Sequence, residues 1–370
     1  MAMKNTLTED VLLEALPKTI KRNISDAENV VVSNISVPQS SGLSAETVMF
    51  SASWQRAGVT VDRDFVARVQ PSGPALFMDY DLEAEFKVMH ALSTTSVPVP
   101  AVLFVETDTS FLGAPFLVME RVDGDIAADD PPFTVEGWVL DLPEEQRALL
   151  ADNSLKAMVD LHNQNIVELG LDNIGHGNPE LSGFDRLIDY WAKKSEWVLE
   201  EKNPTISAAL EWVFENKPDD TDSNVLSWGD ARLGNMIIAK DQSVAAIIDW
   251  EMLSCGPREL DLGWWLFLLK HHSVGVGAEL PSGFKTRDEE IARYEELSGH
   301  KVRNLHYFEV FAGLRMAILV ARAASLLKSA GYIPKDSPMA LINPATNLLA
   351  ELLGLPAPVG ESDYYIGSRT

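Results

Sequence analysis

The stretch Val225–Phe267, VLSWGDARLGNMIIAKDQSVAAIIDWEMLSCGPRELDLGWWLF, decides the fold. Two short runs rich in Ile and Val, Met236–Ala239 and Val244–Asp249, flank the turn-like Lys240-Asp241-Gln242-Ser243 and predict a β-hairpin. Asp230 and Asn235 precede the first run and Asp249 closes the second, so pairing brings all three to one edge. Phosphoryl transfer from ATP requires this kind of group: a carboxylate for the acceptor hydroxyl's proton, and hard oxygens that hold Mg²⁺ against the phosphates.

An Asp followed five residues later by Asn is expected about once by chance in a chain of this length. The coupling of that pair to an Ile-Ile run, to Asp249-Trp250-Glu251, and to Arg258-Glu-Leu-Asp-Leu opening an apolar helix is far more specific. On these residues the chain resembles the phosphotransferase enzyme family that includes aminoglycoside and choline kinases. It is most similar to the branch fused to acyl-CoA dehydrogenases, over about Gly42 to Phe267. The resemblance implies an α+β, protein-kinase-like two-lobed fold. Residues 1–122 would form a small antiparallel sheet lobe with one main helix that binds ATP. Residues 123–370 would form a larger, mainly helical lobe for catalysis and substrate.

Composition fits that size of enzyme. A chain of 370 residues exceeds one small core. Its 30 Lys and Arg against 55 Asp and Glu give −25, which repels nucleic acid and anionic membrane. The single cysteine, Cys255, excludes an internal disulfide framework, and the Met-Ala-Met-Lys-Asn-Thr start lacks an apolar signal core. A cytoplasmic location is expected. The longest apolar run, Val310–Leu327, is broken by Arg315 and Arg322 on one helical face and reads as an amphipathic helix rather than a membrane span.

Taken in order, Leu7–Leu16 has helical spacing that Pro17 should stop. Strands are expected at Val30–Val37 and Val48–Trp54, joined through Gly42-Leu-Ser44-Ala-Glu-Thr47. Small residues suit that loop to covering phosphates, with Gly42 and Ser44 as contacts, although an ordinary hairpin turn explains it equally. Asp64–Gln70 alternates as a strand and carries Arg68, where the resemblance implies a cation on the α- and β-phosphates; a solvated strand arginine is the plainer reading. The helix Asp81–Leu92 has an apolar stripe of Leu82, Phe86, Met89 and Leu92. Glu85 beside it would pair with the strand's cation, and Glu83 is the competing choice. Strands at Val102–Glu106 and Pro115–Met119 follow the Val97-Pro-Val-Pro break. Glu120–Gly124 resembles the inter-lobe hinge, where the backbone at Glu120 and Val122 would meet adenine.

Phe133–Asp141 reads as a Pro-flanked insertion of uncertain order, and helices are expected at Leu149–His162, Leu181–Leu199 and Ser207–Asn216. His162 matches the family's helix-ending Leu-His, a structural histidine. Within the resemblance Asp230 is the base, Asn235 and Asp249 hold Mg²⁺, and Arg232 corresponds to the protein-kinase lysine that contacts the transferred phosphate, if it is not a plain surface arginine. Many relatives carry His-Gly-Asp where this chain has Trp228-Gly229-Asp230, which opens a second reading as a non-catalytic nucleotide-binding protein. Asp261 would steady the catalytic loop or simply complement a helix N-terminus. Trp250, Trp264 and Trp265 read as core, and His271-His272 as a solvated helix end.

The acceptor is expected to be a hydroxyl of a small molecule other than an aminoglycoside. Acidic and basic residues nearly balance between Glu279 and Arg303, leaving no carboxylate wall for a polycation. Tyr307, Phe308 and Phe311, with Arg315, Arg322 and Lys328, would suit an apolar or acidic compound such as a hydroxyacyl thioester; helix packing is the alternative.

Overall fold

The computed structural model describes residues 7–37, 44–181, 183–199, 202–219 and 224–360. Two compact units are present, Met1–Thr94 with Val99–Val122, and Thr95–Pro98 with Asp123–Thr370.

The first unit contains α1 (Glu9–Asn23), β1 (Glu28–Ser36), β2 (Glu46–Arg56), β3 (Val59–Val69), α2 (Leu82–Leu92), β4 (Val102–Glu106) and β5 (Phe116–Glu120). The strands form one antiparallel sheet in the order β1-β2-β3-β5-β4. Alternation drives it: Val48, Phe50, Ala52 and Trp54 of β2 and Phe65, Ala67 and Val69 of β3 pack against Leu12, Leu16 and Ile20 of α1. Pro17 does not stop α1, which continues to Asn23. The carbonyl deprived of its partner belongs to Leu13, which is 41% exposed, so solvent can satisfy it while buried Leu16 and Ile20 hold the helix to the sheet. In α2 the buried stripe is Leu82, Ala84, Glu85, Val88, Met89 and Leu92. Phe86 lies outside it, stacked on His90 at 5.7 Å between ring centroids.

The second unit holds α3 (Trp138–Asp141), α4 (Glu144–His162), α5 (Gly183–Val198), α6 (Pro204–Glu215), β6 (Val225–Ser227), β7 (Met236–Ile238), β8 (Val244–Ile247), β9 (Ser254–Gly256), α7 (Glu259–His271), α8 (Arg287–Ser298), α9 (Leu305–Ser329) and α10 (Pro344–Leu352). The expected hairpin is present as β7 and β8, with Met236 opposite Ile247. β8 ends at Ile247, and Asp249 follows with a φ of 64° that no strand allows. Pairing of β6 with β9 was not anticipated; both are only three residues long, too short for a periodic signal. The 130s are built into the fold, with Phe133, Thr134 and Val139 all buried.

The helix α9 packs against α5, α6, α7 and α10. Among the described residues it is the one helix long and apolar enough to cross a membrane, and 83% of its most apolar window is buried within the protein. Of the two arginines expected on its polar face, Arg315 is enclosed and Arg322 is half-buried. Arg315 is 1% exposed, with its guanidinium 4.4 Å from the Trp264 ring centre and 5.3 Å from that of Phe311. Arg322 lies over Trp197 at 4.2 Å. Flat guanidinium groups can be buried against aromatic faces, which periodicity cannot reveal.

Candidate active site

The loop Trp228–Asn235 enters from β6 and leaves into β7 through a 3₁₀ turn, Leu233–Asn235. Its path depends on Gly229: φ is 90°, and any Cβ would overlap the carbonyl of Met252. Beneath the loop lies Asp261 of α7, fully buried. Its Oδ1 accepts from Ser227 Oγ and Gly229 N, both at 2.8 Å, and its Oδ2 from Trp228 N at 2.8 Å. His162 Nε2 lies 2.9 Å from Oδ2, and its Nδ1 is 2.7 Å from the Tyr294 hydroxyl. Burial would raise the Asp261 pKa, but the His162, Gly229 and Ser227 contacts outweigh it and hold the carboxyl below its usual range. Asp261 therefore bonds the loop directly, beyond any helix-dipole effect.

Asp230, 9% exposed, is held from three sides. Trp264 Nε1 donates to its Oδ1 at 2.8 Å, and Oδ2 accepts from Asn235 Nδ2 at 2.7 Å and Arg232 Nε at 3.0 Å. Because Nδ2 of Asn235 is turned to Asp230, its amide oxygen is left over, and it receives no hydrogen bond from the described residues. The backbone N–H of Ile248 donates to Asn235 O at 3.0 Å, which brings neighbouring Asp249 alongside. A neutral amide oxygen and a carboxylate at one hairpin edge fit Mg²⁺, which favours few protein oxygens together with phosphate and water. No cluster of three or more His, Cys, Asp or Glu suited to a metal occurs among the described residues.

Trp228 is fully buried. Its indole Nε1 donates to the carbonyls of Ile248 at 2.9 Å and Asp249 at 3.2 Å, so tryptophan supplies polar contacts as well as packing at this position.

Trp264 is core, as the sequence suggests, and also donates to Asp230. It follows Asp261 by three residues, so one face of α7 carries both groups to the loop, and that spacing was a usable signal. Asp129 had none, lying in an aperiodic Asp-Asp-Pro-Pro segment. It pairs with Arg232 Nη1, and its Oδ1 is 3.8 Å from His272 Nε2. Burial would lower the Arg232 pKa, but Asp129 and Asp230 raise it further. His271 and His272 are not solvated: each is 8% exposed, and burial depresses both, His271 to about 3. The Thr134 hydroxyl bonds the His272 carbonyl and Phe133 lies edge-on to its ring, so the ordered 130s cover this helix end.

The residues expected to form an acceptor surface are core. Tyr307, Phe308 and Phe311 are at most 4% exposed and cluster around Phe184. Tyr307 donates to Val213 O. Several charges near α8 are consumed locally: Asp152 pairs with Lys285 and Arg293, Glu309 with Arg287, and Glu295 with Lys301.

In the first unit Arg68 is half-buried, opposite Thr47 and Leu117 in the sheet and on the face away from α1. Glu85 is 2% exposed and Ser44 9% exposed; Gly42 lies outside the described residues. At 120–122, Glu120 N–H donates to Ala101 O and Arg121 N–H to Asp64 O, whereas Val122 N–H bonds none of the described residues.

The profile of the phosphotransferase enzyme family matches residues 40–299. Acyl-CoA dehydrogenase family member 11 of Homo sapiens is 32% identical over 263 residues, covering 68% of this chain and 32% of that protein. The chain thus spans about a third of the length of the curated relatives it matches. Among solved structures, a Ralstonia eutropha protein assigned provisionally as an aminoglycoside phosphotransferase has a TM-score of 0.65 at 23% identity, covering 92% of this chain and 95% of its own. A thermostable mutant of aminoglycoside phosphotransferase APH(4)-Ia, in ternary complex with ADP and hygromycin B, has a TM-score of 0.56 at 14% identity, covering 92% and 98%. These likenesses establish the kinase-like fold. With a profile match over most of its length, the chain belongs to the phosphotransferase enzyme family.

Proposed function

We propose that the protein is an ATP- and Mg²⁺-dependent kinase that phosphorylates a hydroxyl of a small molecule. The observation that carries the reading is the Asp230 carboxylate, fixed by Trp264, Arg232 and Asn235 beside an Asn235 amide oxygen that faces no protein donor among the described residues. In a loose transition state the proton moves late, so Asp230 acts mainly by orienting the acceptor hydroxyl and then receiving its proton. Arg232 supplies positive charge for the transferring phosphoryl group. Asn235 and Asp249 would hold Mg²⁺, which when bound offsets charge on the phosphates. On the sheet unit the nucleotide roles fall to Arg68 for the α- and β-phosphates, Glu85 for orienting it, Gly42 and Ser44 for covering phosphate, and the Glu120–Val122 backbone for adenine. Of the three N–H groups there, that of Val122 is not already committed among the described residues.

The non-catalytic alternative drew on Trp228, and the bonds its indole makes weaken that motive. For the acceptor, Asp152 and Glu295 near α8 are tied up in ion pairs, which disfavours a polycationic sugar. Kinship with acyl-CoA dehydrogenase family proteins suggests a hydroxyacyl-CoA or a related hydroxylated acid. ADP release from Mg·ATP should be measured with a panel of hydroxyacyl-CoAs and with kanamycin-like sugars. Release with the former alone is expected; efficient phosphorylation of the sugars would overturn the acceptor class.

A further inference from the structure

We propose that Asp129 is a positioning residue that clamps Arg232 and thereby fixes the Asp230 carboxylate for transfer. Arg232 is shared: its Nε donates to Asp230 Oδ2 at 3.0 Å while its Nη1 is taken by Asp129. A guanidinium is planar, so engaging two of its nitrogens in different directions sets the orientation of the whole group. Held only by Asp230, it could rotate about that single contact or collapse onto the carboxylate it is meant to orient.

Three features show that this pair is built into the fold. Gly234 passes directly beneath it: a Cβ there would lie 2.5 Å from Arg232 Nη1 and 2.6 Å from Asp129 Oδ1. Since Gly234 has no left-handed φ, close approach of the pair is what calls for glycine at this position. Asp129 is itself anchored, because the backbone of Asp125 bridges Ile238 of β7 in both directions and Thr134 and Phe133 bind the His272 end of α7. Finally, Asp129 remains ionised, with the Arg232 charge holding its carboxyl below the ordinary value. The histidines are themselves driven towards neutrality by burial, so Arg232 is the permanent cation facing it.

The inference rests on Asp230 being the base, and the test separates the two. Turnover is measured as ADP formation for wild type, Asp230→Ala, Asp129→Asn, Gly234→Ala and Arg232→Ala, with Asp129→Asn also made in the Arg232→Ala background. Asp129→Asn and Gly234→Ala should each lower kcat roughly 10-fold, with KM for Mg·ATP within about 3-fold and melting temperature nearly unchanged, because orientation is lost rather than binding. In the Arg232→Ala background Asp129→Asn should cost nothing further. Exchange of the Arg232 Nε–H proton, followed by ¹⁵N NMR, should accelerate in Asp129→Asn. Full turnover in Asp230→Ala would remove the functional reading. Full kcat in Asp129→Asn while Asp230→Ala is inactive would overturn the clamp alone, as would an undiminished effect without Arg232. An equally protected Nε–H in wild type and Asp129→Asn would also overturn it, with no turnover required.

Discussion

Replacing Asp261 with asparagine removes no volume, yet it should unfold the second unit early. The carboxylate accepts on both oxygens, from Ser227 Oγ and Gly229 N on one and from Trp228 N and His162 on the other. An amide has one accepting oxygen. Whichever way it is turned, its NH₂ meets a backbone N–H, of Gly229 or of Trp228, and that donor is left buried and unpaired. Hydrogen bonds to a buried charge contribute about 1.5–3 kcal/mol each, and breaking such a network costs about 3–5 kcal/mol. For a unit of this size that corresponds to a fall in melting temperature of roughly 6–20 °C. Urea and thermal unfolding, followed by tryptophan fluorescence, would measure it. The sign with pH follows from the depressed pKa: the carboxylate's contribution is present above its unfolded value near 3.8 and lost as pH falls through the lower folded value. The gap between wild type and Asp261→Asn should therefore narrow in strong acid. A cost below about 1 kcal/mol at pH 7 would refute the claim that Asp261 ties down the loop.

Three further outcomes are expected. Burial raises the Glu290 carboxyl from 4.5 to about 7, so its own contribution to stability should decline as pH rises through that window; Glu290→Gln should lose this contribution and gain on wild type by roughly 3 kcal/mol at pH 8. A wild-type to variant difference that is the same at pH 5 and pH 8 would contradict this. Trp264→Phe keeps a ring against Arg315 but removes the donor to Asp230, and kcat should fall about 10-fold with nucleotide affinity retained. Equal kcat would leave Trp264 as packing alone. Arg68→Ala should weaken ATP binding about 10-fold or more in calorimetry, and an unchanged Kd would leave Arg68 without a nucleotide role.

The sheet unit was legible in the sequence through period-two alternation, the hairpin through short Ile- and Val-rich runs flanking turn residues, and the coupled Asp230, Asn235 and Asp249 motif is local. What was not legible depends on contacts between distant segments. Nothing in the composition of residues 128–132 points Asp129 at Arg232, over a hundred residues away. Polarity suggested that His271, His272 and Arg315 face water, yet all three are buried, the histidines by the 130s and Arg315 by aromatic faces. Tyr307, Phe308 and Phe311 illustrate the reverse case: an aromatic stripe on a long helix proved to be core around Phe184. Pro17 shows local propensity overridden where the lost hydrogen bond falls on the exposed side of a helix whose other side is packed.

The central claim is that Asp230 acts in the chemistry and not in holding nucleotide. Turnover and Mg·ATP affinity measured side by side for wild type and Asp230→Ala test it most directly. ADP formation should fall by at least about 100-fold while Kd for Mg·ATP stays within about 3-fold. Undiminished turnover in Asp230→Ala would contradict it.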